Sequence, residues 1–100
     1  MAETDRQDSV RKVVRLQARA GQADRMRTAL AELRKATIVE AGCREFDFYQ
    51  SISEPGLFLL VEDFASHAAL DTHMHLAHTR AFFALDLVAS IDPIKREWLS

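Results

Sequence analysis

Three histidines crowd the segment Asp71–Arg80, DTHMHLAHTR, with the spacing His73-x-His75-x-x-His78. Imidazole is the commonest metal-ligating side chain and the usual acid–base group near neutral pH. The cluster therefore points either to a metal ion or to proton transfer. A second chemical candidate is Glu62, set inside the apolar run Leu57–Phe64, LFLLVEDF. On strand alternation it shares a face with Phe58, Leu60 and Phe64. Burying a carboxylate costs several kcal/mol unless it is paired, and burial raises its pKa. Glu62 is thus either a polar group closing a strand or helix end, or a functional carboxylate. The lone cysteine, Cys43, cannot form an internal disulfide, and it reads as a small buried apolar residue.

The histidine spacing is similar to the His-x-His-x-Asp-His ligand motif of metallo-β-lactamase-type hydrolases, but Ala77 stands at the Asp position. That motif follows a strand, whereas this run follows the helical stretch AALD. On a helix His75 and His78 share a side, but His73 and His75 do not. The sequence neighbourhood offers no carboxylate to complete a catalytic set. No metal is expected, and His75 and His67 read as solvent-facing.

The elements that must position these residues follow from periodicity. Val10–Ala18 alternates as a strand, and Gly21-Gln22 breaks it. From Ala23 to Ala41 the period changes: Met26, Leu30, Leu33 and Thr37 fall on one helix stripe, with charged residues opposite. Gly42 follows as a helix stop. Glu45–Ile52 alternates again, Ser53-Glu54-Pro55-Gly56 is turn chemistry, and Leu57–Phe64 is apolar on both faces, so a hairpin is expected. Ser66 caps a short helix near 66–73, and a longer one runs from about 76 to 89. Asp92-Pro93 turns the chain into a last strand, Ile94–Leu99, containing Trp98. The order β-α-β-β-α-β predicts an α+β, ferredoxin-like fold with an antiparallel sheet and helices on one face. Residues 1–9 read as a flexible tail and 10–100 as a single domain.

A chain of 100 residues buries roughly 60–68% of its unfolded surface, enough for one modest core. A strand apolar on both faces then calls for a second subunit on the bare face of the sheet. The net charge of −2 gives no electrostatic case for nucleic acid. No apolar run approaches the ~18 residues of a membrane span, and the polar start MAETDRQDS lacks a signal-peptide core. A cytoplasmic protein with no membrane partner is expected.

The ordered series EAGCREFDFYQS, Pro55, FLLVEDF, AALDTH, His78 and Ala81-Phe82 resembles the antibiotic biosynthesis monooxygenase family. Members commonly read Glu-x-Gly-Cys, an aromatic strand, an apolar strand ending Glu-x-Trp, then Ala-Leu-x-x-His and a second His. The resemblance covers most of the chain from Val13. It implies a homodimer whose sheets pack face to face as a dimeric α+β barrel. It also implies an oxygenase without metal or flavin, with no cofactor at all, acting on a quinol or fused phenol and O₂. His73 and His78 match the family's histidine pair, Glu62 matches its strand-ending glutamate, and His75 is incidental. Phe64 replaces the usual Trp, and no Asn–Trp–His set of the haem-degrading branch is present.

On this reading the catalytic candidates are His78, His73 and Glu62, and Phe46, Phe64, Phe82 and Phe83 supply apolar wall for the substrate. Trp98 and Tyr49 read as core or dimer packing. His78 falls on a helical stripe with Phe82 and Leu85, which places it inward near a helix start. A neutral imidazole there accepts a phenolic proton, and free backbone N–H groups favour the developing anion. The competing reading of His78 is a core histidine bonded to a backbone carbonyl. A non-catalytic small-ligand-binding dimer, or a small-molecule isomerase on the same scaffold, are the alternatives in function.

Overall fold

The computed structural model describes residues 9–96. Its elements run β1 (Val10–Ala18), α1 (Ala23–Thr37), β2 (Cys43–Gln50), β3 (Leu57–Phe64), α2 (His67–His75), α3 (Ala77–Ala84) and β4 (Val88–Pro93). The four strands form one antiparallel sheet in the order β2-β3-β1-β4, and the ferredoxin-like α+β fold expected from the sequence is the one observed.

Alternation sets the two faces of the sheet. On β3 the even positions Phe58, Leu60, Glu62 and Phe64 are buried, whereas Leu57, Leu59, Val61 and Asp63 are only half-buried. The first set lies under the helices, with Val14, Leu16 and Ala18 beside it on β1. Met26, Leu30, Leu33 and Thr37 of α1 are all buried on the same core. The apolar stripe read from the sequence is thus the packed face of α1.

Three boundaries differ from expectation. Helix α1 stops at Thr37 and not near Ala41, because Ile38 and Val39 have no core to enter; Val39 is exposed. The last helix ends at Ala84 and not near 89. Asp86 takes a left-handed backbone (φ 54°) that breaks it, and Leu87 drops into the core. The guanidinium of Arg19 holds this exit, donating to the Asp86 carboxylate and carbonyl at 2.8 and 3.0 Å. The final described strand is accordingly Val88–Pro93, paired with β1; of the expected Ile94–Leu99, residues 94–96 are not in a strand and 97–99 lie outside the described residues. Proline is tolerated there because β4 is an edge strand. Trp98, placed inside the expected strand, lies outside the described residues, as does the expected tail up to residue 8.

Candidate functional site

The site starts from a turn. After α1, the Glu40 amide donates to the Thr37 carbonyl (3.0 Å) and the Cys43 amide donates to the Glu40 carbonyl (3.2 Å). Gly42 follows with φ +88°, and a Cβ there would lie 2.8 Å from the Ala69 Cβ of α2. Only glycine fits both the backbone and the gap. The Ala65 amide donates to the Gly42 carbonyl at 2.7 Å, which ties the turn to the start of the helical segment. These contacts carry the Glu40 side chain to α2 and α3.

The two helices present their histidines through a break. Ser66 caps α2, accepting from the Ala69 amide at 3.1 Å. Leu76 is extended (φ −72°, ψ 152°) and separates α2 from α3. In one continuous helix His73 and His78 would point about 140° apart, since each residue turns about 100°. The extended residue resets that phase, and both imidazoles meet Glu40. His73 Nδ1 lies 2.9 Å and His78 Nε2 2.6 Å from the same oxygen, Glu40 Oε2. The His73 side chain is 4% exposed, that of Glu40 8% and that of His78 29%. The Thr79 hydroxyl, also buried, lies 3.4 Å from His73 Nδ1.

An ionised carboxylate only accepts, so both nitrogens donate to it. This fixes the tautomer of each neutral ring. His73 keeps a lone pair on Nε2, and the part-exposed His78 keeps one on Nδ1. The set can therefore accept a proton at His78 and spread the resulting charge over Glu40 and His73.

Aromatic rings wall the buried end. Phe46 and Phe64 sit 5.2 and 5.0 Å, centroid to centroid, from His73. Glu62 lies on the same sheet face, opposite Lys12 of β1 and Phe46 of β2. Burial pushes its carboxyl above the ordinary range, and the opposing influence of His73 and Lys12 nearby is smaller. The Cys43 thiol is pushed up by burial and by the carboxylates of Glu40, Glu62 and Asp63, so it is no ready thiolate. Glu62 also borders a cavity of about 830 Å³, together with Lys12, Val13, Val61, Asp63 and Ile94.

The structure thus gathers His73, His78, Glu62, Phe46 and Phe64 into one neighbourhood. Phe82 is buried in the core, but Phe83 is 44% exposed and touches Phe82 edge-on at 5.4 Å. Leu85, expected on the inward stripe with His78 and Phe82, is exposed because the helix has already ended at Ala84. Tyr49 is exposed on β2 and is no part of the core. His75 and His67 face solvent as expected, and His75 Nδ1 lies 2.8 Å from the Asp71 carbonyl of its own helix. His78 is bonded to a carboxylate and not to a backbone carbonyl. The sequence reading missed Glu40, the carboxylate that joins both histidines. Its signal was present in Glu40-x-Gly42-Cys43, where the glutamate opens the motif and the glycine permits the close approach to α2.

A four-stranded antiparallel sheet under three helices, with a buried carboxylate bridging two histidines, defines a small α+β domain. The antibiotic biosynthesis monooxygenase profile matches residues 9–85, and the chain belongs to that family. Among solved structures, it is similar to the Shewanella oneidensis protein SO0527 at 28% identity, with a TM-score of 0.79 and 88% of each chain covered. PA3566 of Pseudomonas aeruginosa is 26% identical, with a TM-score of 0.78, over 89% of this chain and 94% of that one. Rv0793 of Mycobacterium tuberculosis is also 26% identical, with a TM-score of 0.74, over 92% and 99%. No protein of curated function matches the chain significantly. Among the described residues no helix is long and apolar enough to cross a membrane.

Proposed function

We propose that this chain is a monooxygenase that uses no cofactor and oxidises a quinol or polycyclic phenol with O₂. The observation that carries this reading is the Glu40–His73–His78 set, walled by Phe46 and Phe64, in a member of the family. His78 Nδ1 takes the phenolic proton, and Glu40 holds the ring in the accepting tautomer through Nε2–H. The electron-rich phenolate then reacts with O₂. For a phenol with a free para carbon, one oxygen atom joins that carbon as a quinone carbonyl. The other leaves as water with the two hydrogens lost from substrate.

Phe46 and Phe64, themselves buried, back His73 and keep that end of the site apolar, and Phe83, part-exposed beside Phe82, offers apolar surface along α3. Glu62, whose carboxyl is held high by burial, is the second titratable group within electrostatic reach of His73. The proposed working unit is a homodimer. Leu57, Leu59, Val61 and Val13 form an apolar strip on the sheet face away from the helices, and a second copy packing there would cover it.

The test is oxygen uptake by the purified chain with a panel of quinols, naphthols and anthrones. One O₂ consumed per quinone formed, with one atom of isotopically labelled O₂ in the product and no hydrogen peroxide released, supports the reading. Proton transfer within a substrate without O₂ uptake would instead make the same set an isomerase. No turnover anywhere in the panel, with tight binding of its members, would make the chain a binding module.

A further inference from the structure

We propose that Glu40, His73 and His78 form a binding site for one divalent first-row transition-metal ion, with zinc as the natural probe. His73 Nδ1, His78 Nε2 and a Glu40 carboxylate oxygen all lie within 4.8 Å of one another. The carboxylate oxygen is 2.9 and 2.6 Å from the two nitrogens. Metal–ligand bonds to imidazole and carboxylate run about 2.0–2.2 Å, which puts neighbouring donors about 3 Å apart on a shared ion. The two nitrogen–oxygen edges are already near that spacing. Only a rotation of the carboxylate and a small shift of His78 are needed, and His78 sits part-exposed in the first turn of a short helix. His73 needs no movement, being clamped between Phe46 and Phe64.

Charge favours an ion as well. Glu40 is nearly buried, and its side chain bonds only to the two imidazoles among the described residues; no lysine or arginine reaches it. Glu62 is buried on the same sheet face, opposite Phe46, whose ring packs on His73. A nearly buried carboxylate held only by two neutral rings leaves negative charge that a divalent ion compensates. Two imidazoles and one carboxylate suit zinc, iron, cobalt or nickel, and the set leaves coordination positions open for water or a ligand. The inference concerns binding alone and does not depend on the oxygenase reading. If that reading is also right, a bound ion takes the group proposed to hold His78 and so inhibits the metal-free reaction.

The experiment uses full-length, tag-free protein stripped with a chelator. Equilibrium dialysis against zinc should give one ion per chain. Cobalt in its place should give visible absorption bands of a protein-bound ion. His78→Ala and Glu40→Gln should each weaken zinc binding by tenfold or more and abolish the bands, while His75→Ala and His67→Ala leave both unchanged. Circular dichroism reports whether each variant is folded, and Glu40→Gln decides the matter if His78→Ala is not. No zinc bound by the wild-type chain overturns the proposal. So does one ion per chain held equally well by Glu40→Gln and His78→Ala.

Discussion

Replacing Glu40 by alanine tests the geometry of the site without any substrate. The change removes the shared acceptor of two imidazoles. The bond to His73 is buried on both sides, and a hydrogen bond to a charged group is worth about 1.5–3 kcal/mol. The bond to His78 is part-exposed and solvent-screened, so about 0.5–1 kcal/mol is the appropriate scale. Relief of the buried Glu40 charge offsets part of this sum. The net loss is therefore about 2 kcal/mol. In a domain of this size each kcal/mol moves Tm by about 4–8 °C, so Glu40→Ala should melt roughly 10 °C below wild type. Glu40→Gln keeps an acceptor oxygen and should fall between the two. His75→Ala, which breaks only an exposed contact, should stay within about 0.5 kcal/mol of wild type. Differential scanning calorimetry at pH 7 measures all four proteins. A Glu40→Ala protein that melts with the wild type, or above it, would refute the reasoning.

Three further outcomes are expected. Glu62 has a folded-state pKa raised above its ordinary 4.5 by burial, so its stabilising contribution is full below that value and is lost as pH rises through the folded pKa. Glu62→Gln should thus match wild type near pH 4 and become the more stable protein towards pH 8; a Tm difference that does not vary with pH contradicts this. Phe64 is fully buried against Phe46 and His73, and Phe64→Ala should cost about 3–5 kcal/mol in thermal or urea unfolding, a loss under about 1 kcal/mol being inconsistent with the packing. Val61→Glu puts a charge into the apolar strip on the outer sheet face and should convert a dimer into monomers by light scattering, whereas a wild-type chain already monomeric near 11.3 kDa at micromolar concentration removes the dimer proposal.

The fold was legible wherever periodicity was unambiguous. The stripe Met26, Leu30, Leu33, Thr37 could belong only to a helix, and the alternation about Phe58, Leu60 and Phe64 only to a strand. It was least legible after Ala84, where Leu85, Leu87 and Val88 fit a continuing helix as well as a turn into a strand. The deciding feature there, a left-handed Asp86 held by Arg19, rests on a partner 67 residues away. The site was half legible for the same reason. His73, His78 and Glu62 could be picked out as titratable groups among apolar neighbours. Glu40 could not, because its meaning comes from contacts across 33 and 38 residues. Nor does periodicity alone show that Leu76 resets the helix phase so that both rings face one carboxylate.

The central claim is that His78, held by Glu40, takes the substrate's proton in a reaction that needs no metal. The most direct measurement is the initial rate of O₂ uptake by chelator-stripped protein on an established quinol substrate, wild type against a folded His78→Ala. General acid–base groups typically contribute 10²–10⁴-fold, and the account predicts a rate loss in that range. A folded His78→Ala protein that turns over at near the wild-type rate would contradict it.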